Sequence, residues 1–386
     1  MGNILRKLRY QTKLPMKVIK VVLIIFFSWA CNTSPQIQNN ELKAQKPKNV
    51  ILMIGDGMGL SQVSSAFYYQ KDSTNFWRFP VIGLSRTSSA SHKITDSAAG
   101  ATAFSIGKKT YNGAIGVNAD TIPERTILEY AEDAGMATGL VATSAITHAT
   151  PASFIAHQPS RQMQEEIASD FLKTDIDVFI GGGKQFFTDR KDGVNLADSL
   201  TAKGYRVFFD TTGINEVHNG RVAALLAPDE MPPYAQGRGE MLMPSAMKAI
   251  EILSQNQAGF FLMIEGSQID WGGHVNNAEY LISEEIDFDH TIGAVLDYSK
   301  QHPETLVIVT ADHETGGFTL AADHADKMKG DYNTIAPSFS TTGHSTTLVP
   351  VFAIGPGSET FSGVYENTAI FTKMMNALGL TYNKVR

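Results

Sequence analysis

The chain has 386 residues, of which 43% are hydrophobic and 18% are charged, with 33 glycines and 15 prolines. Apolar side chains at this frequency can bury a large core, and the composition excludes a disordered, collagen-like or coiled-coil protein. The length is compatible with two domains or with one large α/β domain, and it does not decide between them.

The first 30 residues have the pattern of an export signal. Six basic residues and no acidic residue precede or enter the apolar run 18–30, which is too short to span a bilayer but has the length of a signal h-region. We predict a signal peptide over residues 1–30 and a flexible polar linker over residues 31–48. Cleavage would change the formal net charge from −7 to −13, so a nucleic-acid partner is not expected.

Cys31 is the only cysteine in the chain. The small residues before it resemble a bacterial lipoprotein cleavage site, although the usual leucine is missing. A lipidated Cys31 would anchor the exported protein to a membrane, whereas plain cleavage would leave a periplasmic protein with a free thiol. Because no internal disulfide can form, stability must come from packing or from bound metal.

From residue 49 onward, short β-branched runs alternate with helical patterns, which is typical of a mostly parallel sheet covered on both faces. We predict a single catalytic α/β domain over residues 49–386, a three-layer sandwich with a large, mostly parallel central sheet flanked by helices. The predicted strands are 50–54, 138–143, 260–264, 306–310 and 349–354, and the predicted helices include 125–134, 243–255 and 284–302. Two segments rich in Gly, Asp, Pro and Asn, 175–240 and 323–343, are predicted to be surface insertions.

Four of the predicted strands are followed by acidic, histidine or hydroxyl residues. Asp56 follows the first strand, the segment 144–150 the second, the segment 265–274 the third, and Asp312 with His313 the fourth. Because the carboxyl ends of parallel strands meet at one rim of a sheet, we expect these side chains to line one crevice.

The candidate metal ligands mix carboxylates with imidazoles, which suits zinc, whereas an all-oxygen site suits magnesium. They are Asp56, Glu265, Asp270, His274, Asp312, His313 and His344. Asp270 and His274 would share one face of a helix. Each signal is weak alone, since an Asp and a His four apart also occur on surface helices, and Asp312 would equally cap a following helix.

Ser97 is the candidate nucleophile. It precedes four small residues that are typical of the first turns of a helix, where free backbone N–H groups stabilise an anion. The alternative is that Asp96 or Ser97 only caps that helix. The absence of a GxSxG elbow disfavours a serine-hydrolase triad, which leaves metal coordination as the way to activate the hydroxyl.

Six blocks of the sequence, in this order, resemble the alkaline phosphatases. They are IGDGMG around Asp56, TDSAAGATA around Ser97, HATP from His148, EGSQIDWGGH ending at His274, TADHETGG around Asp312, and TTGHSTTLVPVFAIGPG around His344. The resemblance spans roughly residues 48–380. It implies a phosphate monoester hydrolase that releases inorganic phosphate through a phosphoserine intermediate on Ser97.

The resemblance also implies the cofactors, two Zn²⁺ ions and one Mg²⁺ ion, and their ligands. The implied ligand sets are Asp270, His274 and His344 for the first zinc, Asp56, Asp312, His313 and the Ser97 oxygen for the second, and Asp56, Thr150 and Glu265 for the magnesium. Arg161, in AHQPSR, matches the arginine that binds two phosphate oxygens, a task that its planar guanidinium suits better than a lysine.

Two positions depart from the best-known enterobacterial pattern. His148 stands where that pattern has an aspartate near the magnesium. It is a candidate ligand that would either bind the third metal directly or lie one shell out, so the resemblance leaves open whether that metal is magnesium, zinc or another ion. Trp271 stands where it has a lysine that reaches the phosphate through water. Without that charge near the substrate, we expect weaker phosphate inhibition and faster turnover.

Several alternatives remain open at this point. A phosphodiesterase of the same superfamily is the second interpretation, and a non-catalytic surface protein that binds phosphate is the third. A phosphotransferase would differ only in the nucleophile that opens the intermediate. A sulfatase is disfavoured because its CxPxR-like site is missing. The family is usually dimeric, so a homodimer is expected by analogy.

Overall fold

The computed structural model describes residues 46–326 and 329–382. The predicted signal peptide, Cys31 and the linker up to residue 45 lie outside the described residues. Within the described ranges, no helix is long and apolar enough to cross a membrane.

The described residues form fourteen strands, ten of which make up one central sheet. The strands are β1 (Asn49–Gly55), β2 (Val81–Arg86), β3 (Ala137–Ala145), β4 (Val178–Gly182), β5 (Tyr205–Phe208), β6 (Arg221–Leu225), β7 (Phe260–Gly266), β8 (Thr305–Thr310), β9 (Glu314–Thr315), β10 (Thr319–Asp326), β11 (Lys329–Ser338), β12 (His344–Ser345), β13 (Val349–Ile354) and β14 (Gly363–Glu366). The central sheet has the order β14-β2-β13-β8-β1-β7-β3-β4-β6-β5. Its neighbouring strands pair in parallel, except that β13 runs antiparallel to both β2 and β8.

Helices cover both faces of this sheet. They are α1 (Leu60–Tyr69), α2 (Ser97–Ile106), α3 (Ile127–Asp133), α4 (Ala149–Ala152), α5 (Gln164–Asp170), α6 (Lys184–Thr188), α7 (Leu196–Ala202), α8 (Leu242–Leu253), α9 (Gln268–His274), α10 (Ala278–Gln301) and α11 (Thr368–Leu378). Side chains of α2, α3, α5, α7 and α11 pack in one core with Val50, Leu52 and Ile54. Those of α1, α8, α9 and α10 pack in a second core with Ile51 and Met53. The predicted three-layer α/β sandwich is confirmed.

The middle of the sheet explains where the site lies. Every residue of β1 is buried, because a strand covered on both faces must be apolar along its whole length. Strand β1 pairs with β7 and β8 in a register that sets Ile54 beside both Glu265 and Thr310. The residues that follow these three strands therefore emerge together at one rim.

The predicted elements mostly coincide with those observed. All five predicted strands are present, as β1, β3, β7, β8 and β13, and the three predicted helices are α3, α8 and α10. Helix α10 begins at Ala278, earlier than predicted, because the Asn277 side chain accepts a hydrogen bond from the Tyr280 N–H and caps the helix there.

The prediction that residues 175–240 form a surface insertion is wrong in part. This segment supplies β4, β6 and β5, which complete one edge of the central sheet, and Val178, Ile180 and Ala223 are buried in it. The glycines that end β4 and the short length of β5 and β6 hid the strand pattern. Residues 323–343 lie mostly in the β10–β11 hairpin and the loop after it, apart from the central sheet.

Candidate active site

Three carboxylates meet at the rim formed by β1, β7 and β8. Asp56 directly follows β1, Glu265 is the next-to-last residue of β7, and Asp312 follows β8. All three are fully buried. The parallel register of the central strands therefore brings Asp56 beside two carboxylates that lie more than 200 positions after it in the sequence.

Ser97 is the first residue of α2 and is buried beside these carboxylates. The Asp96 side chain accepts a hydrogen bond from the Ala99 N–H at 3.0 Å, so Asp96 caps the helix and the Ser97 hydroxyl is left free to face the crevice. Its Oγ lies 3.2 Å from Nε2 of His313. Gly100 lets helix α2 lie close to Asp312, because a Cβ at position 100 would lie only 3.0 Å from the Asp312 Cβ.

A first cluster contains Asp270, His274 and His344. Helix α9 places Asp270 and His274 on one face, as predicted, with 3.3 Å between the Asp270 Oδ2 and the His274 Nε2. The His344 Nε2 lies 3.1 Å from the His274 Nε2 and 3.6 Å from the Asp270 Oδ1. Ligand atoms of Asp270, His344 and His313 all fall within 4.8 Å of one another.

Main-chain carbonyls orient the two outer histidines. Nδ1 of His274 lies 2.6 Å from the Thr342 carbonyl oxygen, and Nδ1 of His344 lies 2.8 Å from the Thr95 carbonyl oxygen. Because a carbonyl only accepts, each Nδ1 donates, and this turns the Nε2 of each ring toward the crevice.

A second cluster contains Asp56, Asp312 and His313, whose ligand atoms also lie within 4.8 Å. The His313 Nε2 is 3.2 Å from the Asp312 Oδ2 and 3.5 Å from the Asp56 Oδ1. The Asp312 Oδ1 accepts hydrogen bonds from the Gly57 and His313 N–H groups. Its other oxygen therefore points to the cluster.

A third cluster contains Asp56, His148 and Glu265. The Ser144 hydroxyl donates to the Glu265 Oε2 at 3.3 Å, and the buried Thr150, on α4, faces the same carboxylate. Asp56 thus belongs to two of the clusters.

Arg161 reaches the crevice from a loop. Its Nη1 lies 3.3 Å from the Asp96 Oδ2, and its Nη2 lies 3.0 Å from the His148 Nε2. The arginine must be the donor to His148, so that imidazole is neutral with an unprotonated Nε2. Trp271, on α9, packs its ring edge to face against His148, with 5.9 Å between ring centroids.

Burial is the largest cause of the pKa shifts of most buried side chains in this site. It raises the pKa of Glu265 to about 8 and that of Asp312 to about 7, and it raises the pKa of Asp56 well above its ordinary value, with the neighbouring carboxylates adding to the effect. Burial also lowers the pKa of His148 to about 3, helped by Arg161. For Asp270, burial is outweighed by the His274 hydrogen bond and the surrounding histidines, so its pKa is lowered.

Several buried polar atoms in the three clusters accept or donate no hydrogen bond among the residues that the structure describes. They are both carboxylate oxygens of Asp56, Oε1 of Glu265, Oδ2 of Asp312 and Nδ1 of His148. Buried polar atoms are normally paired, and unpaired carboxylates that converge are costly. Bound divalent cations would satisfy the carboxylate oxygens, so the residues present fit a metal centre.

Some residues of the site escaped the sequence analysis. The Thr315 hydroxyl donates to the Asp270 Oδ1 and lies 3.2 Å from Nδ1 of His313. The sequence indicates only a helix cap at Asp96, yet its carboxylate also pairs with Arg161. The position of Thr315 within TADHETGG was a usable signal, whereas the carbonyls of Thr95 and Thr342 carry none.

Comparison with known proteins gives the family. The family model for alkaline phosphatase matches residues 47–336. Alkaline phosphatase 3 of Bacillus subtilis is 35% identical, with 95% of this chain and 98% of the relative covered. The solved structure of alkaline phosphatase from the Antarctic bacterium TAB5 is 50% identical and superposes with a TM-score of 0.86, covering 88% of this chain and all of its own.

A variant of the TAB5 enzyme was solved with Mg bound in its M3 site, after aspartate replaced a histidine. It is also 50% identical, with a TM-score of 0.85 and the same coverage of 88% of this chain and all of its own. The chain described here therefore belongs to the alkaline phosphatase family and is a metal-dependent phosphate monoester hydrolase.

Proposed function

We propose that the crevice holds two zinc ions and one magnesium ion and hydrolyses phosphate monoesters through a phosphoserine on Ser97. The observation that carries this proposal is the convergence of unpartnered buried carboxylate oxygens beside one serine hydroxyl. A site built only for stability would not leave these oxygens unpaired.

The three clusters correspond to three ligand sets. We assign Asp270, His274 and His344 to the first zinc, Asp56, Asp312, His313 and Ser97 to the second, and Asp56, Thr150 and Glu265 to the magnesium. The cations would supply positive charge that lowers the pKa of the Ser97 hydroxyl and neutralises the substrate oxygens. His148 lies at the third set, and we propose that it influences which ion is held there.

The residues of the chain account for the two halves of the reaction. The Ser97 oxygen attacks phosphorus, its bond to phosphorus forms, and the bond from phosphorus to the alcohol oxygen breaks. The Ser97 hydroxyl proton is lost to solvent, and the alcohol oxygen takes up one proton as it leaves. Water then attacks the phosphoserine and gives up a proton, the bond from Ser97 to phosphorus breaks, the Ser97 oxygen regains a proton, and inorganic phosphate is released. The N-terminus of α2 stabilises negative charge on the Ser97 oxygen in both steps.

Arg161 is proposed to bind two phosphate oxygens through its Nη1 and Nη2 donors. Its contacts with Asp96 and His148 hold the guanidinium beside Ser97, which reduces the entropy lost when phosphate binds. This arginine and the third ligand set favour monoesters, since a monoester carries a charge that a diester lacks.

A direct assay distinguishes this function from a phosphodiesterase or a non-catalytic protein. A chromogenic aryl phosphate is compared with its diester, before and after chelation and again after Zn²⁺ and Mg²⁺ are restored. The proposal requires a higher kcat/KM for the monoester and chelation that is reversible by the metals. Preference for the diester, or no turnover of either compound, would reject it.

Replacing Trp271 by lysine is expected to strengthen inhibition by inorganic phosphate about tenfold and to lower kcat. A lysine there places a positive charge near the phosphate, and a charge-assisted contact has about that effect on affinity. The matched control is Trp271→Gln, which removes the indole without adding charge. Equal phosphate inhibition constants for wild type and Trp271→Lys would contradict the role assigned to this position.

We also propose a homodimer. Leu60 and Phe67 are exposed on the outer face of α1. The Phe67 ring packs against that of Trp77, with 5.0 Å between the ring centroids. Trp77 is 73% exposed and Tyr68 is 67% exposed. Monomers seldom leave such a patch uncovered, and a second copy of the chain would bury it. Sedimentation of wild type and Trp77→Arg measures this, with the variant expected to be monomeric.

Export is proposed from residues 1–30, with the mature protein either free in the periplasm or held at a membrane by a lipid on Cys31. The basic residues before the apolar run and the small residues before Cys31 support this proposal. Phosphate monoesters outside the cytoplasm are then the substrates that the enzyme meets.

A further inference from the structure

The His157 side chain lies between two hydrogen-bond acceptors. Its Nδ1 is 2.8 Å from the Gly116 carbonyl oxygen, and its Nε2 is 3.2 Å from the Glu129 Oε1. Neither an amide carbonyl nor an ionised carboxylate can donate. Both ring nitrogens must therefore carry protons, which makes His157 an imidazolium in this arrangement.

The Glu129 carboxylate is built to remain ionised. It closes a capping box at the start of α3, where its Oε2 accepts from the Thr126 N–H at 2.8 Å. Although burial opposes the shift, the bonds from His157 and Thr126 and the charge of Arg125 lower the pKa of Glu129. A proton shared between His157 and Glu129 thus resides on the histidine.

The surroundings of His157 favour its charged form. Burial alone would lower its pKa, but Glu129, the Gly116 carbonyl and Asp170 together raise it above the ordinary value. Asp170, on α5, also accepts a hydrogen bond from the main-chain N–H of His157 at 3.1 Å and forms an ion pair with Lys173. The charged groups that surround His157 are therefore Glu129 and Asp170, with Arg125 and Lys173 beyond them.

His157 opens the loop that carries Arg161. Ile115 and Gln158 exchange two main-chain hydrogen bonds of 3.0 and 2.9 Å, and the Arg161 N–H donates to the Gly113 carbonyl at 2.7 Å. The His157 ring closes this ladder through its contact with the Gly116 carbonyl. Position 116 requires glycine, because its φ is +59° and because an added Cβ would lie only 2.0 Å from the Ala156 carbonyl oxygen.

We propose that the His157 imidazolium is a positioning residue that fixes the Arg161 loop, so that phosphate binds less tightly once His157 loses its proton. This inference rests on the proposed phosphate contact of Arg161. A neutral imidazole can donate to only one of its two acceptors, and its other nitrogen then directs a lone pair at an oxygen. The loop loosens, and the guanidinium is held less accurately over the crevice.

The pH dependence has a definite sign. Below the raised pKa of His157 the imidazolium contact is complete, and as the pH rises through that pKa the contact is lost. Phosphate affinity is therefore expected to fall on the alkaline side, while the attack by Ser97 is not directly affected. The result is easier product release at alkaline pH.

Two substitutions of His157 each keep one of its two ring hydrogen bonds and remove the other. His157→Asn keeps a donor near the Nδ1 position toward Gly116, and His157→Gln keeps one near the Nε2 position toward Glu129, but neither can become charged. Each is expected to raise the phosphate inhibition constant about tenfold at neutral pH, the effect of one charge-assisted hydrogen bond. The values should converge with wild type at high pH, and kcat should not fall. His302→Asn, at the end of α10, is the matched control and should change neither constant.

A double substitution shows whether His157 acts through Arg161. Arg161→Ala alone should weaken phosphate binding, and adding His157→Asn to it should weaken binding no further. Additive losses would overturn the inference. If Arg161→Ala itself leaves phosphate binding unchanged, the proposed role of the arginine fails instead. Metal content and melting temperature are measured for every variant.

The wild-type holoenzyme gives a test that does not depend on any variant folding. Imidazole ¹⁵N NMR should show that His157, which is partly exposed, has both nitrogens protonated at neutral pH, and Glu129→Gln should shift its titration to lower pH. A neutral His157 at pH 7, or a titration that Glu129→Gln leaves unmoved, would overturn the inference.

Discussion

Substitution of Ser97 by alanine is expected to lower kcat for an aryl phosphate by about 10⁴-fold or more. Among the described residues, only the Ser97 hydroxyl lies against the His313 Nε2. Without that hydroxyl no phosphoserine can form. Ligands from three clusters would remain in place, so any residual activity would come from direct attack by water. Acid quenching followed by mass spectrometry should find phosphate on Ser97 in wild type and none in the variant.

The matched control for this substitution is Ser105→Ala on the same helix. The Ser105 hydroxyl is also buried but donates only to the Thr102 carbonyl within α2. We expect the control to keep its kcat and to lose little stability. Equal activity in wild type and Ser97→Ala would show that Ser97 is not the nucleophile.

Replacement of Asp56 by asparagine is expected to reduce activity by about 10³-fold or more and to lower the metal content at two of the three sites. Asp56 belongs to two of the ligand clusters, and both of its oxygens lack a hydrogen-bond donor among the described residues. Removing its negative charge therefore weakens the attraction for two cations at once.

The melting temperatures of the metal-free and metal-loaded Asp56→Asn protein provide a second test. Unpaired buried charge destabilises a fold, so the chelated Asp56→Asn protein should melt at the same temperature as chelated wild type or higher, whereas the metal-loaded variant should melt lower. Asp289→Asn is the matched control, because Asp289 is buried on α10 but is bonded to Thr74 and Asn75. It should lose stability in both forms and keep its metals.

The central part of the fold could be predicted from sequence because its strands are continuous apolar runs. Strands such as β1 and β8 are buried on both faces, so they appear in the sequence as short, continuous runs of apolar residues rich in Val, Ile and Leu. Strands β4, β5 and β6 were missed because they are short and lie in a segment rich in glycine and polar residues. Their place at the edge of the sheet depends on long-range pairing that local patterns do not encode.

The site was predictable where chemistry depends on residue type and on position after a strand. Asp56, Asp312 and His313 satisfy both conditions, and the structure brings them together. His157 satisfies neither, since its role depends on which two acceptors the folded loops place beside its ring. The carbonyls that orient His274 and His344 are likewise visible only in three dimensions.

Elemental analysis of the purified wild-type protein, combined with its phosphate monoesterase activity before and after chelation, tests the metal centre most directly. We predict two zinc ions and one magnesium ion per chain, activity lost with the metals, and activity regained when both metals are returned. A protein that hydrolyses the aryl phosphate at an undiminished rate after its metals are removed would contradict the account.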